Sequence, residues 1–304
     1  MKKLKGSLLL LAATMVWGLA FVAQSAAADN IGSFTFNAAR CVLAAAFLFV
    51  IMLIRRGSRL ISKKKKPANA GENKKLLLGG ALCGAALFAG MNLQQFGIAA
   101  YPPEAAASGR AGFLTATYVI MIPIVQRITG KKLSLPVILS VIGCIAGMYL
   151  LCMNGGFGGI YLGDILELGC AAGFTCYILV VDHFSGLDGI AVSCIQFVVC
   201  GIMCAICMLI FEKPDFNALT EAWLPIAYAG IISSGTGYTL QIIGQKYAEP
   251  AVASIIMSLE SVFAAAAGWL ILGEALSPRE LAGCALVFAA VLCSQIKAPA
   301  KQAD

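Results

Sequence analysis

Charge is scarce in this chain. Only 12% of its 304 residues are Asp, Glu, Lys or Arg, 60% are apolar, and the mean hydropathy is +0.87. A soluble domain of this length would lack the polar residues to cover its surface, so lipid must be the solvent. Histidine is almost missing too: His183 is the only one, which argues against a metal site or an intramembrane protease. Long polar connections are also absent. The longest, 55–75, is too short for a soluble domain. Gly155-Gly156-Phe157-Gly158-Gly159 has the glycine content of a phosphate loop but neither the Lys-Ser/Thr nor the preceding strand. It reads as a hinge, and no nucleotide or other cofactor is expected.

What the chain has in abundance is apolar runs of spanning length, roughly 20 residues each. Ten are legible: 6–26, 34–54, 76–99, 104–125, 134–152, 161–181, 190–211, 222–243, 249–272 and 279–296. The net charge of +7 would suggest nucleic acid in a soluble protein, but here its placement reads as topology. With the N-terminus inside, eighteen of the twenty-two Lys and Arg fall on the cytoplasmic side, including the run Lys63–Lys66, which suits contact with anionic lipid. Lys213 and Arg279 fall outside; Arg40 and Arg110 lie within spans. A bacterial-type plasma membrane with both termini cytoplasmic is the expected location. The N-terminus through Ser25-Ala26-Ala27-Ala28 imitates a secretory signal. Its apolar run is longer than a usual signal core, however, and cleavage would leave nine spans. All twelve cysteines fall in predicted spans and read as small packing residues.

Two halves are similar to one another. Leu93-Gln94-Gln95-Phe96-Gly97, followed by Pro103 and Ala107-Ser108, is answered by Leu240-Gln241-Ile242-Ile243-Gly244, Pro250 and Ala253-Ser254. Gly130 to Ser134 is answered by Gly273 to Ser277, and Gly143-Cys144 by Gly283-Cys284. Five spans per half is an odd number, so the repeats, 1–153 and 154–304, must be inverted. That arrangement supports two near-degenerate packings open to opposite sides, with a site near the midplane.

Polar residues within the spans mark candidate positions for such a site. Glu260, near the middle of the ninth run, suits a cationic substrate group or a proton, or alternatively a packing role. Gln94 and Gln241 occupy equivalent repeat positions and favour the cavity. Asn92 and Gln196 are explained equally well by hydrogen bonds between helices. Arg110 is balanced between snorkelling and attracting an anionic group; Arg40 is expected to snorkel outward, with Asp29 or Glu104 as partner. Trp17, Phe174, Tyr118 and Tyr177 offer aromatic faces, though packing is the commoner use of such rings.

These residues also carry a family likeness. Trp17-Gly18, Phe36 through Arg40, Ser108-Gly-Arg110-Ala-Gly-Phe-Leu-Thr115 leading to Pro123, Ser258-Leu-Glu260, Gly273-Glu274-Ala-Leu-Ser277 and Gly283 together resemble the EamA-like, ten-helix members of the drug/metabolite transporter superfamily over nearly the whole chain. The resemblance implies an all-α membrane bundle around a central cavity, to which Trp17, Gln94, Tyr118, Tyr177, Gln241 and Glu260 would contribute. It departs where the Pro that often follows the ninth-helix Glu is Ser261, so a proline kink there is not implied. The expected function is secondary transport, by alternating access, of a small polar or amphipathic metabolite such as an amino acid, amine or drug-like compound, with protons or sodium ions as coupling partners. A passive channel or facilitator is the alternative, and a lipid-modifying enzyme a more remote one, since clustered acid, base or metal ligands are missing.

Overall fold

The computed structural model of the chain describes residues 2–28, 31–61, 70–102, 107–153, 160–267 and 277–295, and over these it is all helical. Ten rods follow one another. The first three are α1 (Lys2–Ala28), α2 (Ser33–Ile61) and α3 (Ala70–Ala99). The fourth is broken into α4 (Ala107–Thr115) and α5 (Tyr118–Ile128); then come α6 (Leu135–Cys152), α7 (Leu162–His183) and α8 (Gly189–Phe211). After a short α9 (Phe216–Glu221), the eighth rod runs through α10 (Trp223–Ala227), a π-helical segment (Tyr228–Tyr238) and α11 (Thr239–Gln245). The ninth is α12 (Pro250–Met257) plus α13 (Glu260–Ala267), and the tenth is α14 (Pro278–Ser294). Seven of the helical stretches are long and apolar enough to cross a membrane by themselves. Val42, Phe49, Ile142, Leu209 and Phe288 are exposed on the bundle's outside, as lipid-facing side chains should be, while much of the polar content is buried.

Local chemistry sets the helix ends. Ser277 and Glu280 form a reciprocal capping box on α14, with Pro278 at its first position. Asp188 caps α8 through the Ile190 N–H and pairs with Arg55 at 3.3 Å. Burial alone would raise its carboxyl, but Arg55 and the backbone N–H groups outweigh that and hold it below the usual carboxylate range. At α2 the cap comes from far away: the Glu212 carboxylate accepts from the backbone N–H groups of Phe34 and Thr35 at 2.9 and 2.8 Å.

Three of the ten expected runs are not continuous α-helices. In the fourth and ninth rods the back-bonding hydroxyls Thr117, to the Leu114 carbonyl, and Ser258, to the Ile255 carbonyl, sit at the breaks. There the backbone tightens to i−3 bonds, as from Thr117 N to Leu114 O and Leu259 N to Ile256 O. Such hydroxyls compete with the helical ladder and bend it. In the eighth rod the turn widens to π geometry.

The packing maps onto itself when each rod of the first five is exchanged for its counterpart in the second five. α3 lies against α7 as the π segment and α11 lie against α1, and α4 and α5 meet α7 as α12 and α13 meet α1. α2 pairs with α8, and α6 with α14, across the axis. Glycines repeat the pattern residue by residue. A Cβ at Gly90 would stand 3.1 Å from the Phe174 ring, and one at Gly237 2.7 Å from the Trp17 indole. Gly97 faces Glu167 as Gly244 faces Leu10, and Gly163 meets the Gly97 carbonyl as Gly6 meets that of Gly244. Polar bridges repeat as well: Asn37 donates to Asn92 at 3.0 Å, and Thr239 to Ser193 at 2.9 Å, at matching positions. The π segment is a one-residue insertion in this register. Gly84 and Gly230 meet the carbonyls of Gln196 and Arg40, yet one more residue separates Gly230 from Gly237 than Gly84 from Gly90. With five rods in each half, the two repeats are inverted around a central cavity.

Candidate functional site

The seam between the halves holds a cavity lined by Trp17, Phe21 and Gln24 of α1, Arg40 of α2, Gln94 of α3, Thr115 and Tyr118 at the fourth-rod break, and Phe174 and Ile178 of α7. Ser233 and Tyr238 of the π segment, Gln241, and Met257 and Glu260 at the ninth-rod break complete it. Much of the wall consists of symmetry mates: Trp17 with Phe174, Phe21 with Ile178, Gln94 with Gln241 and, with the rod breaks superposed in a register that departs from the sequence match of Ala107-Ser108 to Ala253-Ser254, Thr115 with Met257 and Tyr118 with Glu260. Each member of the last pair opens the second half of a broken rod, and the two meet, with the Tyr118 hydroxyl donating to Glu260 Oε1 at 3.2 Å. The cavity volume is about 40 Å³, space for a few waters at roughly 10–15 Å³ each.

Arg40 does not snorkel. It is 2% exposed; its Nε donates to Ser234 Oγ at 3.0 Å, Nη1 to Gln24 Oε1 at 3.3 Å and Nη2 to Ser233 Oγ at 3.4 Å, while its guanidinium lies over Phe36. The π segment explains why: it presents both serine hydroxyls toward α2, so the cation finds acceptors inside the bundle. Asp29 and Glu104, its expected partners, lie outside the described residues. No ion pair joins Arg40 to Glu260, so one cavity presents a guanidinium and a carboxyl separately. Tyr238 packs against Trp17 with ring centroids 4.9 Å apart, and the Trp17 indole N–H donates to the Ser233 carbonyl at 3.3 Å.

Of the expected site residues, Glu260, Gln94, Gln241, Trp17 and Tyr118 line this cavity. Tyr177 does not; it stands behind Tyr238, at 5.8 Å between rings, and donates to Gln196 Oε1 at 3.3 Å. Asn92 also faces away. It lies about 200° around α3 from Gln94 at 100° per residue, and it bonds the Phe88 carbonyl and Cys204 as well as Asn37. The side chain of Arg110 lies outside the described residues, as do Lys63–Lys66, Gly155–Gly159 and Gly273–Leu276. Gln24, Thr115, Ser233, Tyr238 and Met257 join the wall without a site signal of their own in the sequence, Thr115 standing there only as the end of a family motif. Thr115 and Met257 become recognisable once the rod breaks are aligned; Ser233 and Tyr238 depend on the π insertion, which has no apolar-pattern signature. The described cysteines are free thiols, Cys41 Sγ lying 3.6 Å from Cys200 Sγ.

A second, wider cavity of about 640 Å³ opens at the end of the bundle where α1 begins and α14 ends, lined by Lys3, Lys132, Asp182, Gln245, Lys246 and Glu249 among others. Gln245 lines this cavity and Gln241 the central one; Gln241 Nε2 donates to Gln245 Oε1 at 2.9 Å, so this amide pair stands between them.

Comparison with known proteins agrees with this architecture. The chain is 26% identical over 297 residues, 97% of its length and 87% of the relative's, to an uncharacterized transporter from Archaeoglobus fulgidus. A protein of known crystal structure superposes with a TM-score of 0.76 at 18% identity, covering 95% of this chain and 96% of the other, which speaks to the fold alone. The family model described as the EamA-like transporter family matches residues 4–153 and again 161–295. The chain thus belongs to the EamA-like transporter family, and is a multi-pass membrane transporter.

Proposed function

We propose that this transporter is a secondary carrier, without enzymatic activity, for a small amphipathic zwitterion, with amino acids as the leading class. It works by alternating access between the two five-helix halves, 1–153 and 154–304. The observation that carries this reading is that Arg40 and Glu260 line one aromatic-walled cavity at the seam without pairing with each other. A guanidinium suits a substrate carboxylate through paired N–H donors. Glu260 suits an ammonium group, and Trp17, Phe21, Phe174 and Tyr238 suit an apolar side chain. Gln94 and Gln241 offer amides from either half. In the unloaded carrier Glu260 takes a proton in place of the substrate cation, which links transport to a proton gradient; sodium ions are the second reading of the coupling partner.

The bias of basic residues toward one side supports cytoplasmic termini, and with them a plasma-membrane location, as part of this reading. The wider cavity at that end is then a cytoplasmic vestibule, and the Gln241–Gln245 pair separates it from the substrate. The larger volume of the cavity at that end supports a vestibule with room for solutes on the cytoplasmic side. Import or export follows from the gradient used.

The test combines melting temperatures of purified protein with uptake into proteoliposomes, against zwitterionic amino acids, quaternary amines and simple carboxylates. Zwitterions are expected to raise the melting temperature by mass action and to enter saturably. Glu260→Gln should abolish gradient-driven accumulation while leaving the fold intact. Undiminished, still pH-dependent uptake by that variant would remove Glu260 from coupling. Non-saturating conductance would replace the carrier with a channel.

A further inference from the structure

One carboxyl near the cavity has no place in that scheme. Glu167, in the second turn of α7, has none of its surface exposed. Its Oε2 accepts from Thr115 Oγ1 at 2.6 Å, while its Oε1 is buried with no hydrogen-bond partner. α3 leaves room for it only because residue 97 is glycine, where a Cβ would stand 2.6 Å from Oε1.

Packing alone does not call for an acid here. The symmetry mate of this niche is Leu10 against Gly244, where a Cβ on the glycine would stand 3.0 Å from the leucine Cγ. One repeat therefore fills the space with leucine, and the other fills it with a carboxyl that has a bare oxygen. Uncompensated charge inside a membrane bundle is costly and marks function by default. The cation that neutralises the carboxylate must fit where a methyl group on residue 97 would crowd Oε1, and must need no further ligands. Among the described residues no three His, Cys, Asp or Glu groups are placed to hold a metal ion. A proton satisfies both conditions.

Glu167 is also connected to the transport site. Thr115 lines the central cavity and donates to the carboxyl; Gln94 lines it too, and its Nε2 donates to Thr115 Oγ1 at 3.4 Å. We propose that Glu167 is a proton-binding site, separate from Glu260, which exchanges its proton with the central cavity by way of Thr115. Protonation adds H⁺ to a carboxylate oxygen and changes no other bond. The acid so formed no longer needs the Thr115 hydroxyl as a donor, which frees Thr115 and Gln94 to reorient toward a substrate. The groups around it are Asp164 and Cys170 on α7 and Thr115 on α4; Tyr118 on α5 and Glu260 line the cavity that Thr115 also lines. From α3 come Gly97 and, at its end, Tyr101, whose hydroxyl donates to Asp164; α11 and α12 bring no titratable side chain. Among the described residues no Lys or Arg forms an ion pair with Glu167. The role in transport rests on the cavity being the substrate site, but the proton site itself does not.

Infrared difference spectra of the purified protein, titrated with acid and alkali in H₂O and ²H₂O without substrate, test the proposal. A titrating carboxylic-acid C=O band is expected in the wild type, retained in Glu260→Gln, lost in Glu167→Gln and shifted in frequency in Thr115→Val. Glu167→Leu, which copies the leucine of the other repeat, should fold with a melting temperature near the wild type and also lack the band. If every titrating band survives in folded Glu167→Gln and Glu167→Leu, the site is overturned; an unshifted band in Thr115→Val overturns the connection to the cavity. The spectra need no transported compound, so this result and the carrier assignment fail independently.

Discussion

Arg40 and Glu260 show how much a single side chain's surroundings decide. Both are buried, at 2% and 6% exposure, and both line the central cavity. Arg40 is held by a fork of three acceptors, Ser234, Gln24 and Ser233, a geometry that an ammonium on a flexible stem does not reproduce. Arg40→Lys keeps the positive charge and should fold. It is expected to lose about tenfold in affinity for zwitterions, since a charge-assisted hydrogen bond contributes roughly 1.5–3 kcal/mol, while affinity for plain amines holds. Titrating the melting-temperature shift with each compound class separates the two; equal losses for both would place Arg40 in the scaffold only.

At the scale of the helices, close approach depends on particular glycines. α6 and α14 pair across the symmetry axis, with the backbone of each against a glycine of the other. A Cβ at Gly283 would stand 2.6 Å from the Gly147 carbonyl and 2.7 Å from the Leu151 nitrogen. Backbone cannot turn aside as a side chain can, so Gly283→Ala must push the helices apart. Overpacking of this kind costs about 1–3 kcal/mol, and a clear drop in melting temperature in detergent is expected. Gly57→Ala is the control, because nothing lies within 4 Å of its Cβ; it should be neutral or slightly stabilising, as the added methyl restrains the unfolded chain. If both variants melt alike, the tight pairing of α6 with α14 is not what holds that side of the bundle.

For the whole molecule, inversion of the halves has a simple outward sign: an even total of ten crossings returns the chain to the face where it began. Ser7 donates to Gln295 at 3.2 Å, bringing the first and last rods together at one end. In a cysteine-free background, Lys3→Cys and Gln295→Cys should react with a membrane-impermeant thiol reagent from the same side, the cytoplasmic one; labelling from opposite sides would break the inverted arrangement and the carrier mechanism with it. Much of this scale is legible in the chain itself. Apolar runs announce each crossing because the cost of placing a residue in lipid is paid locally, one position at a time, and the repeat is visible in Gln94 and Gln241 because both halves keep the same residue at the same register. Facing is another matter. Asn92 and Gln94 look alike in the sequence but point to opposite sides of α3, Arg40 resembles a residue bound for the interface until two serines of a π turn meet it, and Glu212 caps a helix that begins far away in the chain. Sequence alone determined the solvent, the crossings and the inverted pairing; tertiary packing decided which polar groups share the cavity, because that depends on helix rotation and on partners that local hydropathy does not encode.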